Sequence, residues 1–364
     1  RIRIHDKRNG QGAVRNMAEA RYGGAEEKRP VTSSDVARLA GVSQPTVSRA
    51  FSDSARLSDA TKKRVLEAAR QLGYRPNAIA RSLVSSRTNI VGVIVMRNES
   101  PFYNEMVNLL VVACRKYGYC AMVIRQTEHE SGLDTVTRAL EYRVDGLLVT
   151  AIENTQSAYE ICRQTTTPIV LFNRYIIGAN VDTVSCDNYD GGGLVADYLI
   201  SKGHRRIACL MGEERASTTK ERLLGIRARA EAESNDLDVC DILYGDYTYE
   251  SGREMCRRLL EKGGERPSAI FCSGDIIAFG VLDTLRLELG LRVPEDISVI
   301  GFDDTREAAW ASYDLTTIRQ PYTELADAAC KLLMERIEHP DGSVKRSLHC
   351  GVLVERGSVA DITR

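Results

Sequence analysis

Short, continuously apolar runs recur along most of this chain, and helix-length amphipathic segments separate them. The runs that follow residue 89 read IVGVIV, AMVI, DGLLVT, PIVLF, RIACLM, AIFC and ISVIGF. Strands that are apolar on both faces are typical of parallel sheets with helices packed on each side. The alternation therefore predicts a doubly wound α/β body, and about 280 residues of it indicate two parallel-sheet subdomains rather than one oversized sheet.

The chain before this body has a shorter, all-helical pattern over residues 31–74. Ser33 or Ser34 is expected to cap the first helix and Gly41 to end it, while Ser43 caps the second. Three helices of this size form a minimal all-α domain. The apolar positions predicted to face its core are Val36, Ala37, Leu39, Ala40, Val47, Val65, Ala68, Ala69 and Leu72.

Basic side chains are concentrated in this small module and in the segment before it. Residues 31–83 contain nine Lys and Arg side chains against four Asp and Glu, although the whole chain has a formal net charge of -1. Residues 1–30 are also basic and have no apolar period, which predicts a mobile tail. A basic module on an acidic body favours a polyanion as the partner of the module, and a solvated basic helix face is the alternative.

Several functional classes lack support in the sequence. No apolar run has the roughly 18 residues of a membrane span and the amino terminus has no secretory leader, so we expect a cytoplasmic protein. The ten cysteines are scattered singly and indicate buried thiols, and the five histidines lack metal-ligand spacing. Gly191–Gly193 open a helix without a phosphate-binding motif, which predicts helix packing. We therefore predict no cofactor, no metal and no enzymatic activity.

A series of longer motifs runs in order through nearly the whole chain. They are VTSSDVARLAGVSQPTVSRAFS, LSDATKKRVLEAARQLGYRPNAIARSL, VDGLLV, DNYDGGGLVADYLISKGHRRIACLMG, GDYTYESG, RPSAIFCSGDIIAFGVLDTLRLELGLRVPEDISVIGFDD, LTTIRQP and LVERGSVA. Together they closely resemble the LacI/GalR family of transcriptional regulators over roughly residues 31–360. Several independent motifs in the family's order are far more specific than a single helix-turn-helix match.

The resemblance implies a helix-turn-helix headpiece and a two-lobed body like a periplasmic binding protein, with three chain crossings between the lobes. Such a protein binds double-stranded operator DNA as a homodimer and a small molecule between the lobes. The expected divisions are a tail (1–30), a headpiece (31–74), a hinge helix and linker (75–88), an effector-binding and dimerisation body (89–364), its first lobe (about 89–188 and 320–345) and its second lobe (about 189–319 and 346–364).

In a helix-turn-helix, the amino-terminal side chains of the second helix meet base edges in the major groove. Gln44 could pair with adenine and Arg49 with guanine, whereas Pro45 can offer only shape or an apolar contact. The alternative for Arg49 is a phosphate contact. With the resemblance, the expected DNA-binding residues are Thr32, Ser43, Gln44, Pro45, Thr46, Ser48, Arg49, Asn77, Ala80 and Leu83.

The segment from Pro76 to Leu83 is too short to be a stable helix alone. By resemblance, it folds against its partner's copy on DNA, where Leu83 wedges into the minor groove and Ala80 packs close to that groove. The alternative for Leu83 is a plain contact between lobes. The pairing requires a dimer, whose symmetry matches a near-palindromic operator.

The resemblance also places an effector site in the cleft, where polar residues follow strand ends. Two aromatic rings with several hydrogen-bonding groups suit a sugar or a sugar acid. Arg174 and Arg222 favour the acid unless Arg174 forms a salt bridge, and Asp275 is equally suited to capping a helix. The expected effector-binding residues are Phe102, Tyr103, Asn173, Arg174, Arg222, Tyr247, Asp275 and Asp303.

These features predict a DNA-binding transcriptional repressor that is controlled by a small polar metabolite. A corepressor-dependent regulator that responds to a nucleobase is an alternative, because the sequence does not decide whether the ligand weakens or strengthens DNA binding. A solute-binding protein of sugar uptake shares the body fold. That class, however, needs a secretory leader and has no basic headpiece.

Overall fold

The computed structural model describes most of the chain beyond residue 30. Its residues divide into two compact units, 1–86 and 87–364. The predicted tail, apart from Arg29, and hinge residues 76–86 lie outside the described residues. The described residues are 29, 31–51, 57–75, 87–95, 100–127, 129–150, 160, 164, 166–176, 178–232 and 236–363.

The first unit contains the three predicted helices. They are α1 (Ser33–Ala40), α2 (Gln44–Ala50) and α3 (Asp59–Leu72). Thr32, rather than Ser33 or Ser34, is the N-cap of α1. The Thr32 backbone N–H and the Thr32 hydroxyl both donate hydrogen bonds to the Asp35 carboxylate. Gly41 ends α1 with a φ of 62°, a left-handed conformation that glycine adopts without strain.

The helices of this unit enclose a small apolar core. One expected core residue, Leu39, is instead 50% exposed. The buried stripe of α1 consists of Val36, Ala37 and Ala40, and the helical period turns Leu39 about 100° away from Ala40. The buried residues of the unit are Val36, Ala37, Ala40, Val47, Ala50, Val65, Ala68 and Ala69.

The second unit alternates strands with helices, as the apolar runs predicted. A turn of π-helix, Thr284–Glu288, and one of 3-10 helix, Arg306–Ala309, complete it. The main elements are, in chain order, β1 (Ile90–Val95), α4 (Pro101–Lys116), β2 (Cys120–Arg125), α5 (Gly132–Glu141), β3 (Gly146–Thr150), β4 (Ile169–Phe172), β5 (Asp182–Cys186), α6 (Asn188–Ser201), β6 (Arg206–Met211), α7 (Ser217–Ala230), β7 (Asp238–Tyr244), α8 (Tyr249–Glu261), β8 (Ala269–Cys272), α9 (Asp275–Asp283), β9 (Ser298–Asp303), β10 (Thr316–Arg319), α10 (Tyr322–Glu338), β11 (Arg346–His349) and β12 (Val352–Val354).

Two six-stranded sheets form the two lobes of this unit. The first sheet is parallel throughout, with the order β11-β5-β4-β3-β1-β2. The second has the order β12-β10-β9-β8-β6-β7 and is parallel except for β12, which runs antiparallel to β10. Strands β1, β3, β4, β8 and β9 are almost wholly buried, as expected where helices cover both faces.

The chain crosses between the lobes after β5, after β10 and after β11. The first and third crossings are adjacent, because the Asp187 N–H donates to the His349 carbonyl at 2.8 Å. The third crossing corrects an expected boundary. Residues 346–349 form β11 and pair with β5 of the first sheet, whereas the second lobe was expected to resume at residue 346. The return to the second lobe therefore occurs just before β12.

Glycines bring the helices of the second lobe into close contact. A Cβ on Gly192 of α6 would lie 2.1 Å from the carbonyl oxygen of Arg222 in α7, and a Cβ on Gly225 would lie 2.0 Å from that of Tyr189. Only glycine permits backbones to approach this closely. The Gly191–Gly193 run therefore serves helix packing, as predicted.

Among the described residues, no helix is both long enough and apolar enough to cross a bilayer. The same residues contain no group of three or more His, Cys, Asp and Glu side chains that could hold a metal ion. Six of the described cysteines are buried free thiols, including Cys114 and Cys330, whose sulfur atoms are 3.5 Å apart in the first lobe.

Candidate functional site

Polar and aromatic side chains from both lobes line a small cavity. Seven of the eight expected effector residues are among them, and Asp275 is the exception. Sequence analysis missed Ser100 and Thr218, which lie at the starts of α4 and α7. The lining residues are Ser100, Phe102, Tyr103, Asn173, Arg174, Thr218, Arg222, Tyr247 and Asp303.

Two of the polar residues lie at the carboxyl ends of strands in different sheets. Asn173 directly follows β4 of the first lobe, and Asp303 is the last residue of β9 in the second. Asn173 has a φ of 69° and Asp303 a φ of 132°. Positive φ is uncommon for residues other than glycine, and such strained positions concentrate at functional sites.

The Arg222 guanidinium is held from several directions. Its Nε donates to Asn188 Oδ1 at 2.8 Å, and its Nη1 donates to the backbone carbonyl of Ser273. Its central carbon lies 3.5 Å from the centre of the Phe302 ring, and Nη2 is 3.9 Å from Asp303 Oδ1. These contacts leave Arg222 little freedom and place its charge beside the Asp303 carboxylate.

Asp303 is a deeply buried carboxylate at the cavity wall. It accepts a hydrogen bond from Gln320 Nε2 at 2.7 Å. Burial raises the pKa of Asp303 to about 7, although the nearby Arg222 opposes this shift. Because burial disfavours the charged form, the carboxylate gains strongly from a ligand that donates hydrogen bonds to it.

The Tyr247 ring stands in a slot between two glycines. A Cβ on Gly212 would lie 2.1 Å from a ring carbon, and a Cβ on Gly274 would lie 3.1 Å from another. The Tyr247 hydroxyl shares a hydrogen bond with the Thr219 hydroxyl at 3.0 Å. The slot and this hydrogen bond together fix the ring at the cavity wall.

The first-lobe wall is less completely hydrogen bonded. Asn173 Nδ2 donates to the Tyr103 hydroxyl oxygen at 3.3 Å, but its buried Oδ1 has no hydrogen-bond partner. Phe102 packs edge-on against Tyr103, with ring centres 5.0 Å apart. A buried oxygen without a partner costs about 1–3 kcal/mol, so a ligand hydroxyl that donates to Asn173 would relieve this cost.

Arg174 forms the salt bridge that the sequence left as an alternative to anion binding. Its Nη1 and Nη2 donate to Glu213 Oε2 and Oε1 at 3.0 and 3.3 Å. The pair joins the lobes, because Arg174 follows β4 and Glu213 follows β6. Arg174 Nε is buried without a partner. Sequence analysis missed Glu213, although its place after a strand end was a usable signal.

Asp275 is buried outside the cavity. Its carboxylate accepts hydrogen bonds from the Thr317 hydroxyl at 2.6 Å and from the Thr305 backbone N–H at 2.8 Å. The N-cap of α9 is Gly274, and Asp275 makes no capping hydrogen bond. Burial raises its pKa. Neither expected role, effector contact or helix cap, matches these contacts, which instead tie the start of α9 to β10.

Most of the expected base-contacting residues are exposed in the first unit. Ser43, Gln44, Pro45, Ser48 and Arg49 are exposed, as is Thr32, and Thr46 is half-buried. Gln44 Nε2 donates to Ser33 Oγ at 2.9 Å, and Arg49 Nη2 donates to Thr46 Oγ1 at 3.2 Å. Exchanging such exposed hydrogen bonds for bonds to bases costs little.

The expected hinge contacts Asn77, Ala80 and Leu83 lie outside the described residues. The chain that follows them is tied to the first lobe by Asp145, just before β3. Its carboxylate accepts from the Thr88 backbone N–H and from the Asn89 backbone N–H, at 2.9 and 2.8 Å. This anchor fixes where the linker joins the body.

Two family models match the chain. The model of bacterial regulatory proteins of the lacI family matches residues 32–77, and that of a periplasmic binding protein-like domain matches residues 196–359. The first match contains the helix-turn-helix residues described above. The periplasmic binding protein-like match contains most of the second lobe and also α10 and β11, which belong to the first lobe.

Similar proteins extend the match to almost the whole chain. The ribose operon repressor of Escherichia coli K12 is 36% identical over 333 residues, which are 90% of this chain and 99% of that protein. The repressor PurR of Haemophilus influenzae is 34% identical over 336 residues, with 91% and 99% covered. A lac repressor dimer bound to operator and an anti-inducer superimposes with a TM-score of 0.79 at 26% identity, covering 91% of this chain and 100% of that one. This chain therefore belongs to the LacI family of DNA-binding bacterial regulatory proteins.

Proposed function

We propose that this protein is a dimeric transcriptional repressor whose hold on a near-palindromic operator is controlled by a sugar bound between the lobes. One observation carries the proposal: hydrogen-bonding side chains from both lobes converge on a single cavity. Asn173 comes from the first lobe, and Arg222 and Asp303 come from the second. A ligand that needs all three favours the lobe arrangement that brings them together, and that preference can alter DNA binding.

A sugar fits the mixture of groups around the cavity. The Asp303 carboxylate and Asn173 Oδ1 accept hydrogen bonds, Arg222 donates them, and each sugar hydroxyl can do both. Phe102 and Tyr247 offer apolar ring surface to the carbon skeleton. The name of the ribose operon repressor points to the same chemical class.

On the DNA side, we propose that α2 enters the major groove amino end first. Gln44 would then pair with adenine and Arg49 with guanine, each contributing about 1–3 kcal/mol of discrimination against a wrong base. Pro45 has no N–H to donate, so selection at its position would rest on shape. Leu83 is the proposed minor-groove wedge of the paired hinge helices.

A ligand screen tests the effector. Purified full-length protein is heated with neutral sugars, sugar acids or nucleobases, and each stabilising compound is then titrated into an operator complex that is followed by fluorescence anisotropy. At least one neutral monosaccharide should raise the Tm and change operator affinity about tenfold or more. Stabilisation by nucleobases alone would favour the alternative, a corepressor-dependent regulator that responds to a nucleobase. A sugar that binds without changing operator affinity would contradict the proposed control.

Selection from random duplexes tests the DNA contacts. The wild-type protein should select a near-palindrome of about 14–20 base pairs, and its affinity should fall steeply with salt. Gln44→Ala and Arg49→Ala should relax selection at different base pairs. Gln71→Ala changes another exposed glutamine of the first unit, on α3, and should leave the selected sequence unaltered. Equal affinity for selected and random DNA at moderate salt would contradict the proposal.

A further inference from the structure

The cavity contains two guanidinium groups, and each is already paired with a carboxylate. Arg222 Nη2 lies 3.9 Å from Asp303 Oδ1. Arg174 contacts both oxygens of Glu213, at 3.0 and 3.3 Å. Neither cation can therefore neutralise an anionic ligand without weakening an existing salt bridge within the protein.

The two pairs differ in how easily a ligand could disturb them. The Arg222 and Asp303 side chains are 3% and 6% exposed. The Glu213 side chain is 37% exposed, although its partner Arg174 is only 9% exposed. Glu213 is not among the cavity-lining residues but binds the guanidinium of Arg174, which is, while Arg174 Nε has no hydrogen-bond partner. Removing this one carboxylate would leave a buried cation with unused donors beside the cavity.

We propose that Glu213 is a specificity-determining residue that makes the effector site select an uncharged sugar over the corresponding sugar acid. The inference rests on the proposed effector function. Glu213 is a positioning residue, since it acts by occupying Arg174. An acid would have to displace Glu213 or bind near its negative charge, and in a partly buried cleft such repulsion is weakly screened.

The same ion pair also connects the lobes, so selection is coupled to closure of the cleft. Next to it, the Tyr175 backbone N–H of the first lobe donates to Ser217 Oγ of the second at 3.1 Å. A ligand carboxylate that captured Arg174 would break a contact that favours the closed arrangement. A neutral sugar leaves this contact intact and can add its own hydrogen bonds to both lobes.

The test compares neutral and acidic sugars that share one ring or chain. Galactose with galacturonate, glucose with glucuronate, and ribose with riburonate, which keeps the furanose ring, are titrated calorimetrically into the protein at constant ionic strength. For the pair that binds, the wild type should prefer the neutral member about tenfold or more. Glu213→Gln should remove or reverse this preference, and Glu213→Asp, which keeps the charge, should restore it. Glu214→Gln removes the same charge from the exposed neighbouring residue and should preserve the wild-type ratio.

The ratio of affinities is the deciding measurement, because loss of a structural contact alone would weaken both members of a pair alike. Equal binding of both members by the wild type, or the same ratio in Glu213→Gln as in Glu214→Gln, would overturn the inference and leave the proposed function standing. Thermal unfolding of each variant accompanies the titrations, and a destabilised Glu213→Gln with an unchanged ratio also counts against it. Absence of binding by every sugar would overturn the proposed effector function, and the inference with it.

Discussion

The two walls of the cavity differ in how completely their polar groups are hydrogen bonded to other groups of the protein. On the second-lobe wall, Arg222 is held by two hydrogen bonds and an aromatic ring, Tyr247 fills a glycine slot, and Asp303 accepts from a glutamine. On the first-lobe wall, Asn173 Oδ1 and Arg174 Nε are buried without partners. The polar groups of the second wall are therefore the more completely preorganised.

This difference suggests separate tasks for the two lobes. A preorganised group loses little freedom on binding, so the second lobe should set most of the affinity. A buried polar atom without a partner gains a bond when the ligand arrives, so the first lobe should respond to binding by closing on the ligand. Variants of the second wall should therefore have the larger effects.

The largest effect is expected for Asp303→Asn. Losing the charged acceptor should weaken sugar binding about 100-fold, because hydrogen bonds to ionised groups are the strong ones. The ligand-free protein should nevertheless become more stable, because a buried carboxylate is removed. Calorimetry and thermal unfolding measure the two effects. The control is Asp304→Asn, whose carboxylate pairs with Arg319 and Arg356 outside the cavity, and which should lose stability but keep sugar affinity.

The pH dependence of stability tests the same carboxylate. Its pKa of about 7 in the folded protein exceeds the value of about 3.9 for an unfolded Asp, so the folded state binds more protons between these values. This contribution to stability is present at acidic pH and is lost as the pH rises through about 7. Denaturant unfolding from about pH 5 to 8 should show a decline that is smaller in Asp303→Asn. Identical slopes in both proteins would contradict the assignment.

The next largest effect is expected for Gly212→Ala. The added Cβ would overlap the Tyr247 ring at 2.1 Å, so the ring must leave its slot and sugar affinity should fall about tenfold or more. The matched change Gly274→Ala places a Cβ 3.1 Å from the same ring and should have a smaller effect. Neither glycine has a positive φ, so backbone strain is not involved. Equal losses in both variants would show that the slot does not position Tyr247.

Much of the fold was predictable because its central strands are continuous apolar runs. IVGVIV forms β1 and RIACLM forms β6, as predicted. The sequence analysis missed β5, β7, β10, β11 and β12. Thr183 and Ser185 interrupt β5 although it is buried, and the edge strand β7 contains Asp238 and Asp241. A buried strand tolerates polar residues only where they find hydrogen-bond partners. Those partners come from the tertiary structure, so the local sequence does not reveal them.

The candidate site was predictable in its members and less so in their contacts. Strand ends and family motifs supplied seven residues that the structure brings to one cavity. The Arg174–Glu213 pair instead depends on the distance between lobes, which the chain crossings determine. The contacts of Asp275 also depend on the tertiary structure, because its hydrogen-bond partner Thr317 is 42 positions away in the sequence. Local patterns contain no information on such separations.

A moderate effect is expected on the first wall for Asn173→Gly. Glycine tolerates the φ of 69° at this position, so the change removes the amide without adding backbone strain. Sugar affinity should fall about fivefold, less than for the second-wall variants, because Asn173 contributes one neutral hydrogen bond. Stability should change little, since a buried oxygen without a partner is lost as well. Titration calorimetry that found a loss as large as for Asp303→Asn would contradict the difference between the walls.

The smallest effect is expected outside the cavity, for Arg346→Ala. Arg346 of β11 contacts Glu221 of α7 at 2.7 Å and stacks on Tyr175 at 4.1 Å, so it joins the lobes without touching the ligand site. The Arg346 side chain is 44% exposed, so solvent and salt screen the pair, and sugar affinity should fall only about threefold at low salt.

The matched control for this variant is Lys116→Ala, which breaks an exposed ion pair with Asp327 within the first lobe and should leave sugar affinity unchanged. Titrations of both variants at low salt and at about 0.5 M salt should show the Arg346→Ala effect only at low salt. A loss that persisted at high salt would mean that Arg346 stacking, rather than charge, holds the lobes together. In that case cleft closure would depend on the outer surface of the body as much as on the first-lobe wall.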